Sequence, residues 1–138
     1  MKLPTFQSLL LSVEQHVATI TLNRPDKRNA FNDEVISELT EAFKFCGEQA
    51  DVRAVVLAAT GKAFCAGADL NWMRAMADCT RDENLADADK LAQMLATIYN
   101  CPKPTIAAIQ GDVYAGGMGL VAACDIAIAV KNANFCLS

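Results

Sequence analysis

Twice in this chain a short, uninterrupted apolar run opens directly onto a cluster of alanines and glycines and then onto a helix-forming stretch. The first is AVVLAAT (54–60) followed by GKAFCAGADL, and the second is PTIAAIQG (104–111) followed by DVYAGGMGL. Apolar runs of this length, bounded by polar segments, are the signature of strands covered on both faces of a parallel sheet. Parallel neighbours need crossovers, which helices supply, so the pattern predicts an α/β domain. A third run, CDIAIAV (124–130), has the same character and is expected to be a further buried strand.

Upstream, LLLSVEQHVATITLN (9–23) reads as a hairpin, two β-rich runs divided by Glu14, Gln15 and His16. Asn23, Arg24 and Pro25 stop the second run. Asn32 or Asp33 can cap a helix whose apolar positions Val35, Ile36, Leu39, Ala42, Phe43 and Cys46 recur at helical spacing and which ends near Gly47. A helix is expected from Asp69 through Met76. After the polar stretch CTRDEN, a longer amphipathic one carries Leu85, Ala88, Leu91, Leu95 and Ile98, and Asn100 to Pro104 break it. No internal repeat is visible in the sequence. A hairpin followed by crossovers fits a layered sheet better than a doubly wound nucleotide-binding unit, and neither glycine loop reads GxGxxG after a first strand.

At 138 residues, 53% of them apolar, the chain is sized for one packed domain. A formal charge of −4 and a pI near 4.9 provide no overall field for nucleic acid or anionic lipid, so an anionic ligand must be held by local charge. The six cysteines form no CxxC pair, and the single histidine, His16, lies far from most of them, which argues against zinc. They read as reduced, small apolar packers, and the localisation expected is cytoplasmic. The amino-terminal apolar stretch is ended by Glu14, too short for a signal peptide or a membrane span.

Chemistry points to the two small-residue loops. Residues such as Ala66, Gly67, Ala68, Ala115, Gly116 and Gly117 let a ligand approach the main chain where a helix begins and its N–H groups are unpaired. Two such groups converging on one oxygen form an oxyanion hole, the device that stabilises a thioester enolate. Taken singly, each loop also fits plain packing or a phosphate cradle.

Together, LNRPDKRNAFN (22–32), AVVLAATGKAFCAGADL (54–70) and KPTIAAIQGDVYAGGMGLVAACDIAIA (103–129) resemble the successive motifs of the crotonase (enoyl-CoA hydratase/isomerase) superfamily. The resemblance implies a layered ββα spiral, with residues 1–138 as an amino-terminal core truncated before the carboxy-terminal helices. It implies that the N–H groups of Ala68 and Ala115 form the oxyanion pair. Ala66, Asp69, Leu70 and Gly116 then lie along the substrate, with Lys27 and Arg28 passing the pantetheine and adenosine portions of CoA. Arg24 and Lys27 are candidates for its phosphates. No metal or separate cofactor is implied, CoA being part of the acyl-CoA substrate. The full-length parent is expected to be a homotrimer or a hexamer. The run GDVYAGGMGLVAACDIAIA is similar to the branch that hydrates methylglutaconyl-CoA or carboxygeranoyl-CoA.

The sequence departs from the hydratase pattern at the acid/base groups. Gly119 stands where such members carry one glutamate, and the F-x-x-S pattern that precedes the other occupies Phe135 to Ser138, after which no residue follows. The segment KNANFCLS starts a turn toward a further element, so the sequence reads as part of a longer domain. Hydration or isomerisation needs a group that moves a proton, and of the carboxylates present Asp112 is the nearest candidate. Ala115 replaces the usual glycine, which matters if the turn requires a positive φ. Trp72, Met73 and Met76 read equally as acyl-chain contacts or as core and oligomer contacts. A non-catalytic CoA-binding remnant, or an assembly partner of a longer homologue, is the alternative.

Overall fold

The hairpin forms where the sequence placed it. In the computed structural model, which describes residues 1–137, β1 (Leu9–Glu14) and β2 (Val17–Leu22) pair antiparallel, with Leu9 opposite Leu22 and Glu14 opposite Val17. Gln15 and His16 turn the chain with φ of 49° and 69°, the double left-handed step of a tight hairpin. The His16 carbonyl then accepts the Arg53 N–H at 2.7 Å, which fastens the turn to the entry of the next strand. Ser138, the last residue of the F-x-x-S pattern, lies outside the described residues.

Helix α1 (Asp33–Glu48) begins at Asn32, whose side chain accepts the Val35 N–H at 3.0 Å, and Asp33 and Glu34 sit at its positive end. The six positions spaced for burial in the sequence are the six it buries. From there the chain winds in repeated passages, each a strand, a short strand and a helical segment. β3 (Ala54–Ala59), β4 (Ala63–Cys65), α2 (Leu70–Ala77) and α3 (Arg81–Tyr99) make one passage. β5 (Thr105–Ile109), β6 (Asp112–Tyr114) and α4 (Gly117–Ala123) make the next, and β7 (Ile126–Ala129) and β8 (Phe135–Cys136) start another. The long strands form one sheet in the order β1-β2-β3-β5-β7, and the short ones a second in the order β4-β6-β8. Every pairing after the hairpin is parallel. This is the layered ββα spiral that the resemblance implies. Its repeat follows the twice-occurring apolar run and small-residue loop of the sequence.

The core fills the space between the larger sheet and helices α1 and α3. Ala18, Ile20, Val55, Leu57 and Ala107 on the sheet meet Leu39, Phe43, Met94 and Ile98 on the helices, all at most 1% exposed. Lys103 closes the carboxy end of α1 by donating its ammonium to the Gln49 and Val52 carbonyls.

Two expectations are corrected, and the helix expected from Asp69 through Met76 forms. CDIAIAV is a strand but not a buried one: β7 is the edge of its sheet, with Ile126 and Ile128 50% and 63% exposed. Helix α3, started by a Thr80–Glu83 capping box, buries only Met94 and Ile98 fully and leaves Leu85 exposed. Helix α2 buries no residue fully, although Trp72 lies edge-on against Phe31 with ring centroids 6.4 Å apart. Among the described residues no helix is long and apolar enough to cross a membrane, and Cys46, Cys65, Cys79, Cys101 and Cys124 are thiols.

Candidate active site

The two small-residue loops meet. The first follows β4 and the second follows β6, and the parallel pairing of those strands sets the loops side by side. Gly67 has φ of 94°, a conformation that disfavours any side chain, and a Cβ there would lie 3.1 Å from both the Ala115 Cβ and the Tyr114 carbonyl oxygen. A Cβ on Gly117 would lie 2.7 Å from the Cys65 carbonyl oxygen. The contact between loops therefore depends on these hydrogens in place of side chains.

Around the first loop nearly every backbone group is engaged. Ala66 N–H donates to the Arg28 carbonyl at 3.0 Å, Phe31 N–H to Gly67 at 2.8 Å, and Asp69 N–H to Phe31 at 2.8 Å. Between them the Ala68 N–H has no acceptor among the described residues. In the second loop the Ala115 N–H donates to the Cys136 carbonyl at 2.7 Å. That corrects the expectation placed on Ala115, because an N–H already held by a carbonyl is not open to a ligand. The next N–H, that of Gly116, has no acceptor among the described residues, and a Cβ on Gly116 would lie 3.9 Å from the Ala68 nitrogen. Ala115 itself adopts φ of 48°, so the turn does require the left-handed conformation that alanine resists.

The basic residues separate. Arg24 turns inward: its guanidinium lies 3.1 Å from Asp69 Oδ2 and donates to the Ala30 carbonyl, so it is not open to phosphate. Asp69 also caps α2, accepting the Asn71 and Trp72 N–H groups at 2.8 and 3.1 Å. Burial by itself raises its pKa, but the Trp72 N–H, the Arg24 guanidinium and the Asn71 N–H outweigh that and hold the carboxyl below the usual range. Lys27 does face a hollow of about 410 Å³, shared with Ala66, Ala68, Asp69 and Leu70. Arg74 lines the same hollow. Sequence reading missed it, although its position four residues after Leu70 on α2 places both on one helix face.

Arg28 lies outside that hollow. It ends the short turn Pro25–Lys27 with φ of 50°, and its charge helps lower Asp112. Asp112 accepts the Asn134 N–H at 2.8 Å, the Tyr114 hydroxyl at 2.8 Å and the Asn134 side-chain N–H at 3.2 Å. Chiefly through the Asn134 N–H and then the Tyr114 hydroxyl, its carboxyl sits below the usual range, which suits an anchor between β6 and β8 and not a proton carrier. The loop after β2 is organised by Asn29, 2% exposed, whose amide donates to the Thr60 and Ala63 carbonyls at 2.7 and 3.0 Å. Cys65, beside the loops, is no nucleophile, since burial pushes its thiol up to about 11. A Cβ on Gly119 would meet Leu95 methyls at 3.5 and 3.7 Å, an ordinary contact, so packing does not demand glycine there. Among the described residues no cluster of three His, Cys, Asp or Glu could hold a metal ion.

A ββα spiral of this topology, with long and short parallel strands in two sheets, is the crotonase fold. The enoyl-CoA hydratase/isomerase family model matches residues 12–138, and the chain belongs to that family. It is similar in structure to an enoyl-CoA hydratase from Shewanella pealeana, with TM-score 0.93 and 41% identity over 96% of this chain and 50% of that one. An enoyl-CoA hydratase from Mycobacterium smegmatis gives TM-score 0.87 and 42% identity over 94% of this chain and 50% of that one. The human mitochondrial Δ(3,5)-Δ(2,4)-dienoyl-CoA isomerase is 37% identical over 140 residues, 95% of this chain and 43% of its own length. The chain spans about half the length of the curated relatives it matches.

Proposed function

We propose that this chain is the acyl-CoA-holding half of an enoyl-CoA hydratase/isomerase-type enzyme. The observation that supports it most directly is the pair of unpaired N–H groups, Ala68 and Gly116, set side by side where two helices begin. A thioester carbonyl received between them gains two hydrogen bonds that strengthen as enolate charge develops on its oxygen, each contributing about 3 kcal/mol to the transition state. Lys27 and Arg74, neither of them in an ion pair among the described residues, flank the adjoining hollow and suit the phosphates of the CoA handle. They replace Arg24, which belongs to the scaffold.

Proton transfer is a different matter. Asp69 on the first loop and Asp112 on β6, just before the second, are the nearest carboxylates, and both are engaged as structural acceptors. The reading therefore assigns this chain substrate binding and enolate stabilisation, and assigns the acid/base glutamate to none of its described residues. Two measurements test it. Titration with CoA and acyl-CoA should show binding that weakens roughly fivefold in each of Lys27→Ala and Arg74→Ala, more steeply at low salt; binding indifferent to both changes would overturn the phosphate assignment. Incubation with crotonyl-CoA should leave the conjugated absorbance unchanged, and turnover by the 138-residue chain would overturn the assignment of proton transfer elsewhere.

A further inference from the structure

Phe31 touches both proposed donors at once. Its backbone forms the isolated parallel bridge to Ala68, donating to the Gly67 carbonyl and accepting the Asp69 N–H, both at 2.8 Å. The Ala68 peptide is thereby clamped on either side. Its ring lies directly on Gly116, where a Cβ would come within 2.7 Å of Phe31 Cζ and 3.1 Å of Cε2. Trp72 meets the ring edge-on, and the residue is 2% exposed. A single side chain and its own peptide groups thus link the first loop to the second.

We infer that Phe31 is a positioning residue that sets the separation and aim of the Ala68 and Gly116 N–H groups. The inference rests on the donor-pair reading above. The physical reason is geometric: two donors polarise one oxygen only when both lie within hydrogen-bond reach of it, and a shift of about 1 Å in either forfeits most of the effect. The β4–β6 ladder joins the bases of the loops at Cys65 and Val113, and beyond it the ring fills the space against Gly116. A smaller side chain leaves Gly116 free to settle toward Ala68 or away from it, with the phosphate-binding hollow unaltered.

The test uses 2,4-hexadienoyl-CoA, whose conjugated thioester absorbs at longer wavelength when its carbonyl is polarised. The wild-type chain should red-shift the bound chromophore. Phe31→Leu should bind CoA within about twofold of wild type and lose half or more of the red shift. Phe43→Leu makes the same truncation in the core on α1, away from the loops; it should keep the shift whole. Full retention of the shift in Phe31→Leu overturns the inference. So does equal loss in Phe43→Leu, which would mark the effect as general loosening. If Phe31→Leu does not fold, Phe31→Met, which retains a long apolar side chain, replaces it under the same criteria. Absence of any shift in the wild type, with CoA still bound, sinks the donor pair itself and is recognisable as that separate failure.

Discussion

The two loops are held in place by different means. The first, Cys65 to Asp69, is secured locally: glycine takes its left-handed position, Asp69 caps the following helix, and Arg24 and Phe31 hold it from residues close by in the fold. The second, Tyr114 to Gly117, places alanine in the left-handed position and starts α4 with no side-chain cap. It is held instead by β8, through the Cys136 carbonyl and the Asp112–Asn134 contacts. One loop is rigid by its own chemistry, and the other borrows rigidity from a strand that lies at the sheet's edge. Under the proposed function, the aim of the Gly116 N–H therefore depends on the seating of β8.

The sharpest way to break the first loop is Gly67→Ala. A methyl at φ of 94°, within 3.1 Å of the Ala115 Cβ and the Tyr114 oxygen, should lower stability by about 3 kcal/mol and abolish acyl-CoA binding. A urea midpoint equal to wild type would show that the loop is softer than its contacts indicate. Next is Asp69→Ala, which removes a helix cap and strands the Arg24 guanidinium, costing about 2–3 kcal/mol. Acid reaches the same group by titration. Because folding holds the Asp69 carboxyl below its ordinary 3.8, the unfolded chain takes up that proton first. Its contribution is complete above about pH 4 and fades as the pH falls through the lower folded value. Asp69→Asn should flatten stability in that range, and an unchanged acid profile would count against the assignment. The smallest effect belongs to the second loop: Ala115→Gly relieves a left-handed alanine but loosens the unfolded chain, leaving stability within about 1 kcal/mol of wild type. A large loss there would reverse the contrast between the loops.

Much of this was legible in the letters. The hairpin, α1 with its Asn32 cap, and the long strands β3 and β5 follow from apolar runs and spacing, because their partners lie on predictable faces. The second sheet was not, since strands of two or three residues carry no periodicity and exist only through their neighbours. The exposure of β7 was hidden for a related reason: an apolar run marks a strand, but only pairing order reveals which strand is last. The shift of a donor from Ala115 to Gly116 depended on a carbonyl at Cys136, far along the chain, and the inward turn of Arg24 on a carboxylate at Asp69. The sequence does not single out Phe31, because the role proposed for it lies in two backbone bonds and one van der Waals contact, none of which a residue type announces.

The winding of the chain also follows its sequence order. Val17 pairs with Ala54, Val55 with Thr105, and Ile106 with Ile126, so each parallel strand adds to one that precedes it in the sequence. Each of these strands therefore follows its template in the sequence, and among the described residues the hairpin is the only pairing between strands joined by a tight turn. The first loop is thus framed by residues that precede it in the sequence, whereas the second is tied to β8, which follows it.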